Sequence, residues 1–201
     1  MDQRAFFVGP VQVKFSGSPN ETKSIASKYI SPGEVESDTG ELKLNYDKGF
    51  CTVDTPCAQG VAAFFSAKPT YSLADVTFAS PNEYGAALAV SMDGKAIHDS
   101  KKVLVQFGTR SRPTGWVEKP ATIQFDNKQS APGLEVVSYG KAPWQVIKAD
   151  LVVSIKNTGL KKASVLDMNG NRIADVPLTK APGAVKFTFP STAMYVVLEG
   201  G

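Results

Sequence analysis

The amino-acid sequence predicts an all-β protein whose antiparallel strands form a β-sandwich or jelly roll. Three observations predict this fold class. Short apolar runs, alternating or β-branched, recur along the chain, and each has the length of a typical strand. Glycine, proline, asparagine and aspartate separate these runs, as turn residues do. No segment repeats apolar residues at the helical period between capping residues, so about a dozen strands must bury their apolar faces against one another.

The first predicted strand covers residues 11–15, and the clearest local signal is the hairpin that follows it. Leu42, Leu44 and Tyr46 alternate with polar residues, as one half-buried strand face requires. The segment 47–49 supplies a glycine where the chain reverses. A returning strand is therefore predicted over residues 50–53.

The rest of the chain repeats the same pattern. The remaining strands are predicted over residues 61–65, 73–78, 86–92, 103–107, 121–125, 134–138, 151–155, 163–167, 172–176, 184–189 and 194–198. Asn169-Gly170 lies between two of these apolar runs, and this dipeptide is a strong hairpin signal. Residues 163–176 are therefore predicted to form a hairpin.

The domain organisation follows from length and from the lack of a linker-like segment. A chain of 201 residues can bury a core as one β-sandwich unit over residues 1–201. No Ser- or Pro-rich run marks a flexible joint. Glycine and proline interrupt the strand rhythm at residues 138–143, so a small β sub-lobe over 146–201 is the alternative.

Composition argues against several classes of partner. The formal net charge is only +3 and the basic residues are scattered, whereas a nucleic-acid binder is expected to carry a basic stripe. No apolar run approaches the ~20 residues that span a bilayer. The first residues also lack the apolar core of a secretion signal. We expect that this chain binds neither nucleic acid nor a membrane and that it carries no signal peptide.

The two cysteines, Cys51 and Cys57, are predicted to be free thiols. In an extended segment their Cα atoms would lie about 20 Å apart, far beyond the ~7 Å that a disulfide tolerates. The chain has one histidine, so these residues cannot make a four-ligand zinc site.

Several motifs, in the same order along most of the chain, resemble the non-catalytic C-terminal β-sandwich domains appended to large bacterial glycoside hydrolases. Residues 37–56 contain the runs SDTGE and TVDTP, and residues 110–116 follow the strand LVQFGT. Residues 142–144 read APW, and residues 161–170 contain VLDMNG. The chain departs from the family pattern at Cys57, where a basic residue often follows the proline.

This resemblance implies a function that concerns carbohydrate. It implies a non-catalytic carbohydrate-binding module of a secreted bacterial polysaccharide-degrading enzyme, located outside the cell or in the periplasm. Its partners would be a polysaccharide or oligosaccharide and the catalytic domain of the same parent enzyme. The alternatives are a support domain that packs on a catalytic barrel, and a jelly-roll enzyme that acts on carbohydrate.

The predicted carbohydrate-binding residues are Trp116, Tyr84, Arg112 and Arg110. An aromatic ring can cover the apolar C–H face of a sugar ring, and arginine can orient the sugar by donating hydrogen bonds to the sugar hydroxyl groups. Proline and glycine make the surroundings of Trp116 loop-like, and both arginines are close in sequence. The alternative is that these aromatics plug the end of the sandwich, which is the role expected for Trp144.

We predict no catalytic residue and no resident metal or cofactor. A structural calcium ion is left open, and the sequence does not locate a site for it. A histidine mechanism could use only His98, which we expect to face solvent, with Asp99 pointing to the other side of a strand. Two carboxylates about 5–10 Å apart could hydrolyse a glycosidic bond. The pairs Asp38 with Glu41 and Asp47 with Asp54 are instead typical of turns.

The acidic loop at residues 167–171 does not match a calcium-binding loop. Its glycine stands in the fourth place, whereas the helix-flanked calcium loop needs glycine in the sixth place and a distal glutamate. The hairpin interpretation is therefore preferred there.

Overall fold

A computed structural model of the chain describes residues 2–12, 15, 26–126 and 128–201. The prediction of an all-β fold is confirmed, since the described residues form seventeen strands, one four-residue α-helix and one turn of 3-10 helix at Ala26–Tyr29. The elements in chain order are α1 Ala5–Val8, β1 Ile30–Ser31, β2 Glu34–Glu36, β3 Leu42–Asn45, β4 Phe50–Asp54, β5 Ala58–Ala63, β6 Thr70–Ser72, β7 Val76–Ala79, β8 Gly85–Ser91, β9 Lys102–Gly108, β10 Ser111–Gln124, β11 Ser130–Val146, β12 Leu151–Ile155, β13 Leu160–Leu166, β14 Arg172–Asp175, β15 Thr179–Ala181, β16 Ala184–Phe189 and β17 Tyr195–Gly200.

The chain divides into two compact units, and the first comprises residues 1–108 and 149–201. It contains two antiparallel sheets that are not closed into a barrel. The larger sheet has the strand order β1-β2-β3-β4-β5-β8-β9-β17-β13-β14, and the smaller one has the order β15-β16-β12-β7-β6. Residues 149–201 supply strands to both sheets of this unit.

The hydrophobic core of the first unit joins side chains from both sheets. Phe78 and Val153 from the smaller sheet, and Val105, Val196 and Leu198 from the larger one, are almost completely buried. Phe78, Val105 and Val153 alternate with more exposed neighbours along β7, β9 and β12, as expected where one face of a strand packs against the opposing sheet. The unit is therefore a β-sandwich.

A buried amide ties the two sheets together near one end of this core. Gln59 of β5 is fully buried, and its side-chain oxygen accepts hydrogen bonds from the backbone N–H groups of Asp75 at 2.8 Å and Val76 at 2.9 Å. Its amide nitrogen donates to the carbonyl of Thr55 at 3.3 Å.

The single strand predicted over 73–78 is wrong, because a turn closed by a bond from the Leu73 N–H to the Val76 carbonyl separates β6 from β7.

The predicted hairpins are confirmed. β3 pairs with β4, and β13 pairs with β14 around Asn169-Gly170. Gly49 and Gly170 have φ values of 65° and 84°, a region that glycine enters without steric cost. The strand predicted over 11–15 falls largely outside the described residues, and Val11 and Gln12 are not in a strand.

The second unit, residues 109–148, is a two-stranded antiparallel ribbon. Its strands β10 and β11 are fourteen and seventeen residues long, about three times the usual strand length. Their pairing runs from Ser111 opposite Val146 to Gln124 opposite Ser130, with irregularities after Pro113 and after Val117. Each strand has one partner in this sheet.

The two helical segments among the described residues have four residues each, so neither could span a bilayer.

Candidate functional site

Four side chains of the ribbon form one contiguous cluster on one side of it. The guanidinium carbon of Arg112 lies 5.0 Å from the centroid of the Trp116 ring. The Trp116 and Tyr139 rings meet edge to face at 5.9 Å, because these residues are directly opposite on β10 and β11. Arg112 also reaches Glu118, with 3.5 Å between its terminal nitrogen and the carboxylate oxygen. We call these four residues the aromatic face.

The sequence places these side chains together by strand alternation. Trp116 is four positions after Arg112 and two before Glu118 along β10. Because these steps are even, the three side chains leave the same side of the strand. The sequence predicted loop-like surroundings for Trp116, whereas the structure has it inside a strand. Its ring is half-buried, and its buried indole N–H has no hydrogen-bond partner among the described residues.

Tyr139 and Glu118 are the two residues of this cluster that the sequence did not single out, and Tyr139 is the more exposed of them. Tyr139 is 74% exposed, so most of its side chain is open to solvent although its ring packs edge to face with that of Trp116. The alternation within residues 134–138 was visible in the sequence. Its continuation past Ser138 into the Gly140 and Pro143 region was not, because those residues suggested that the strand had ended.

The other two sequence-predicted binding residues lie elsewhere. Arg110 precedes β10 and its carbonyl accepts a hydrogen bond from the Ile147 N–H at 3.0 Å. Tyr84 belongs to the first unit, where its ring lies 5.3 Å from that of Phe64. The structure thus brings Arg112 and Trp116 together and leaves Tyr84 in the other unit.

Trp144 does not have the core role that the sequence suggested. It lies on β11 opposite Pro113 and is 66% exposed. The core role was expected because tryptophan is usually largely buried. The prediction fails because the described residues of this unit form a two-stranded ribbon and no second sheet against which a side chain could be buried.

His98 contacts two carboxylates rather than projecting freely into solvent. Its Nδ1 atom lies 3.0 Å from Asp75 and its Nε2 atom lies 3.4 Å from Asp99. The hydrogen bond and charge of Asp75 raise the pKa of His98 above its ordinary value. The prediction that Asp99 would point away is wrong, because residues 97–99 form a turn rather than a strand.

The carboxylates considered for hydrolysis have structural roles or the wrong separation. Asp54 accepts hydrogen bonds from the backbone N–H of Ala74 at 3.1 and 3.2 Å, so it binds a backbone amide distant in sequence and not one of the turn expected beside it. Asp47 lies in the turn before Phe50, so the length of β4 separates it from Asp54. Four strand steps correspond to about 13 Å, beyond the usual spacing of a catalytic pair.

The turn around Asp38 and Glu41 is organised by a neighbouring hydroxyl group. The Ser37 side chain accepts a hydrogen bond from the Leu42 N–H at 3.0 Å and lies 3.0 Å from the Thr39 hydroxyl. The Glu41 carbonyl in turn accepts a bond from the Asp54 N–H at 2.8 Å. These contacts join the turn to the start of β3 and the end of β4.

The loop at residues 167–171 satisfies its acidic residue internally. One Asp167 oxygen accepts bonds from the backbone N–H groups of Asn169 and Asn171, both at 2.8 Å, and the other accepts a bond from the Asn171 amide at 3.1 Å. These bonds lower the pKa of Asp167. The carboxylate therefore closes a hairpin turn.

Comparison with protein-family models, with curated proteins and with solved structures finds no match to this chain.

Proposed function

We propose that this chain is a non-catalytic carbohydrate-binding module of a polysaccharide-degrading enzyme, and that it binds glycan on the aromatic face of the ribbon. The observation that carries the proposal is the exposed Tyr139 ring, which packs against the Trp116 ring that Arg112 in turn contacts. The sequence resemblance to accessory domains of bacterial glycoside hydrolases supports the same class of ligand.

The chemistry of this face suits a sugar ring. The open side of Tyr139 covers the apolar C–H face of a pyranose and removes that area from water. Arg112 offers several N–H donors in a planar arrangement, and a sugar hydroxyl can accept from them. Glu118 holds the guanidinium and leaves part of its donor set for the ligand. No bond is made or broken in this scheme.

Affinity electrophoresis against a panel of soluble polysaccharides, with reducing-sugar release assayed in parallel, tests the proposal. We expect retardation by at least one polysaccharide and no product. Retardation should be lost in Tyr139→Ala and retained in Trp144→Ala, because both rings are exposed but Trp144 is not part of the aromatic face. Product that disappears when an acidic residue is substituted would contradict a non-catalytic role.

The sequence-predicted Tyr84 provides a second comparison. If glycan binds on the ribbon alone, Tyr84→Ala binds as wild type, since Tyr84 lies in the first unit. Loss of binding in Tyr84→Ala with normal binding by Tyr139→Ala would move the glycan site to the first unit.

A support domain that packs on a catalytic domain of the same polypeptide is the second candidate function. What favours it is the number of exposed apolar side chains on the ribbon, which include Val117, Leu134 and Val146, since surfaces of this kind usually mark protein contacts. Absence of both binding and product across the panel would favour this function.

A further inference from the structure

The side of the ribbon opposite the aromatic face is also apolar and has no covering layer in its own unit. The register pairs Val146 with Ser111, Trp144 with Pro113 and Ile123 with Ala131. On β10, Val117 stands between Trp116 and Glu118, so its side chain leaves the other side of the strand. We call the side that carries Val117, Ile123, Trp144 and Val146 the opposite face.

The four apolar side chains of this face are each about half exposed or more. Val117 is 49%, Ile123 43%, Trp144 66% and Val146 69% exposed. At about 150–250 Å² for a large side chain, these fractions leave about 400 Å² of accessible apolar surface. A two-stranded ribbon is also only marginally stable without a further layer. Both observations favour a partner that covers the opposite face.

The opposite face carries one cation and one anion in a paired arrangement. Lys119 and Glu135 are directly opposite in the register, and their charged atoms lie 3.1 Å apart. Both side chains are more than half exposed. The face therefore has no net charge and presents both signs side by side near the middle of the ribbon.

We propose that the opposite face binds the same face of a second copy of this chain and forms a two-fold symmetric dimer. A two-fold axis brings one patch against itself, so Lys119 of one copy can meet Glu135 of the other. With the lysine and glutamate stems and the small residues between them, the buried area approaches the ~800 Å² per partner of a standard interface. A partner of a single charge sign would not match this patch equally well.

The arrangement leaves the aromatic face free, because Arg112, Trp116 and Tyr139 lie on the other side of the ribbon. The dimer does not depend on glycan binding and is measured without glycan. Its failure and the failure of the proposed function are therefore separate results.

Sedimentation equilibrium of the full chain from about 1 μM to about 1 mM tests the proposal. We expect a monomer–dimer equilibrium for the wild type. Val117→Lys should weaken it at least tenfold, while Leu134→Lys should leave it unchanged. Leu134 is the matched control because it is 53% exposed and pairs with Pro120 on the aromatic side. Circular dichroism of each variant checks that the fold is retained.

A mixing experiment tests the charge contact directly. Lys119→Glu alone and Glu135→Lys alone place like charges together, so each variant should be monomeric. An equimolar mixture of the two should recover a dimer, because the two patches then carry opposite charge. Wild type that stays monomeric at about 1 mM, a Val117→Lys variant that still dimerises, or a mixture that stays monomeric would each overturn the proposal.

Discussion

Replacing Gln59 with leucine should destabilise the first unit far more than the same change elsewhere on its large sheet. The leucine fills a similar volume but cannot accept the bonds from the Asp75 and Val76 N–H groups, which lie at 2.8 and 2.9 Å. A buried donor without a partner costs about 1–3 kcal/mol. The two donors together predict a loss of about 2–6 kcal/mol. In a chain of this length that corresponds to a fall in Tm of about 10 °C.

Gln106→Leu is the matched control for this substitution. Gln106 is half-buried on β9 of the same sheet, and its amide makes no hydrogen bond among the described residues. Its replacement should change the free energy of unfolding by no more than about 0.5 kcal/mol. Urea denaturation of the three proteins by fluorescence and circular dichroism measures the difference. Equal stability of Gln59→Leu and Gln106→Leu would refute the assignment of Gln59 as the tie between the sheets.

Three further predictions concern the core, the histidine and the cysteines. Phe78→Ala should cost about 3–5 kcal/mol because the ring is fully buried, and Phe125→Ala, at a half-exposed ring, should cost far less in the same urea titration. Because the pKa of His98 is raised in the folded state, protonated His98 stabilises the folded protein. This contribution to stability is complete below the unfolded-state pKa of about 6.5 and is lost as the pH rises through the higher folded-state pKa. His98→Gln should therefore remove a decrease in Tm that wild type shows across this range, and identical pH profiles would contradict the Asp75 contact. Burial raises the pKa of the Cys51 thiol. Both cysteines are free, so a thiol reagent should titrate two thiols in the denatured protein without reductant. Fewer than two would indicate a disulfide.

Much of the fold could be predicted from local patterns in the sequence. β8 and β9 match the runs predicted over 86–92 and 103–107 to within a residue at each end, because alternation there is uninterrupted and one face is buried. The assignment of strands to sheets was not predictable from these patterns. β17 lies between β9 and β13 in the larger sheet, and β12 lies between β16 and β7 in the smaller one. The sequence of a single strand does not indicate which distant strand it pairs with.

The ribbon shows most clearly where sequence reasoning fails. Pro113 and Pro120 lie within β10, and Pro132 and Pro143 lie within β11. Prolines in such numbers usually argue against a strand, because each lacks a ladder donor. A two-stranded ribbon leaves one edge of every strand unpaired, so prolines are tolerated at positions that face that edge. The pairing of Trp116 with Tyr139, and hence the aromatic face, could not be derived without this continuity.

The binding free energy of a retarding polysaccharide, measured by calorimetry for wild type, Tyr139→Ala and Tyr139→Phe, tests the central claim most directly. A sugar ring that covers about 100 Å² of the tyrosine, at about 25 cal/mol per Å², gains about 2.5 kcal/mol. Tyr139→Ala should therefore bind between one and two orders of magnitude more weakly, and Tyr139→Phe should keep most of the affinity. Equal affinity of the alanine variant and wild type would show that glycan does not bind on the aromatic face.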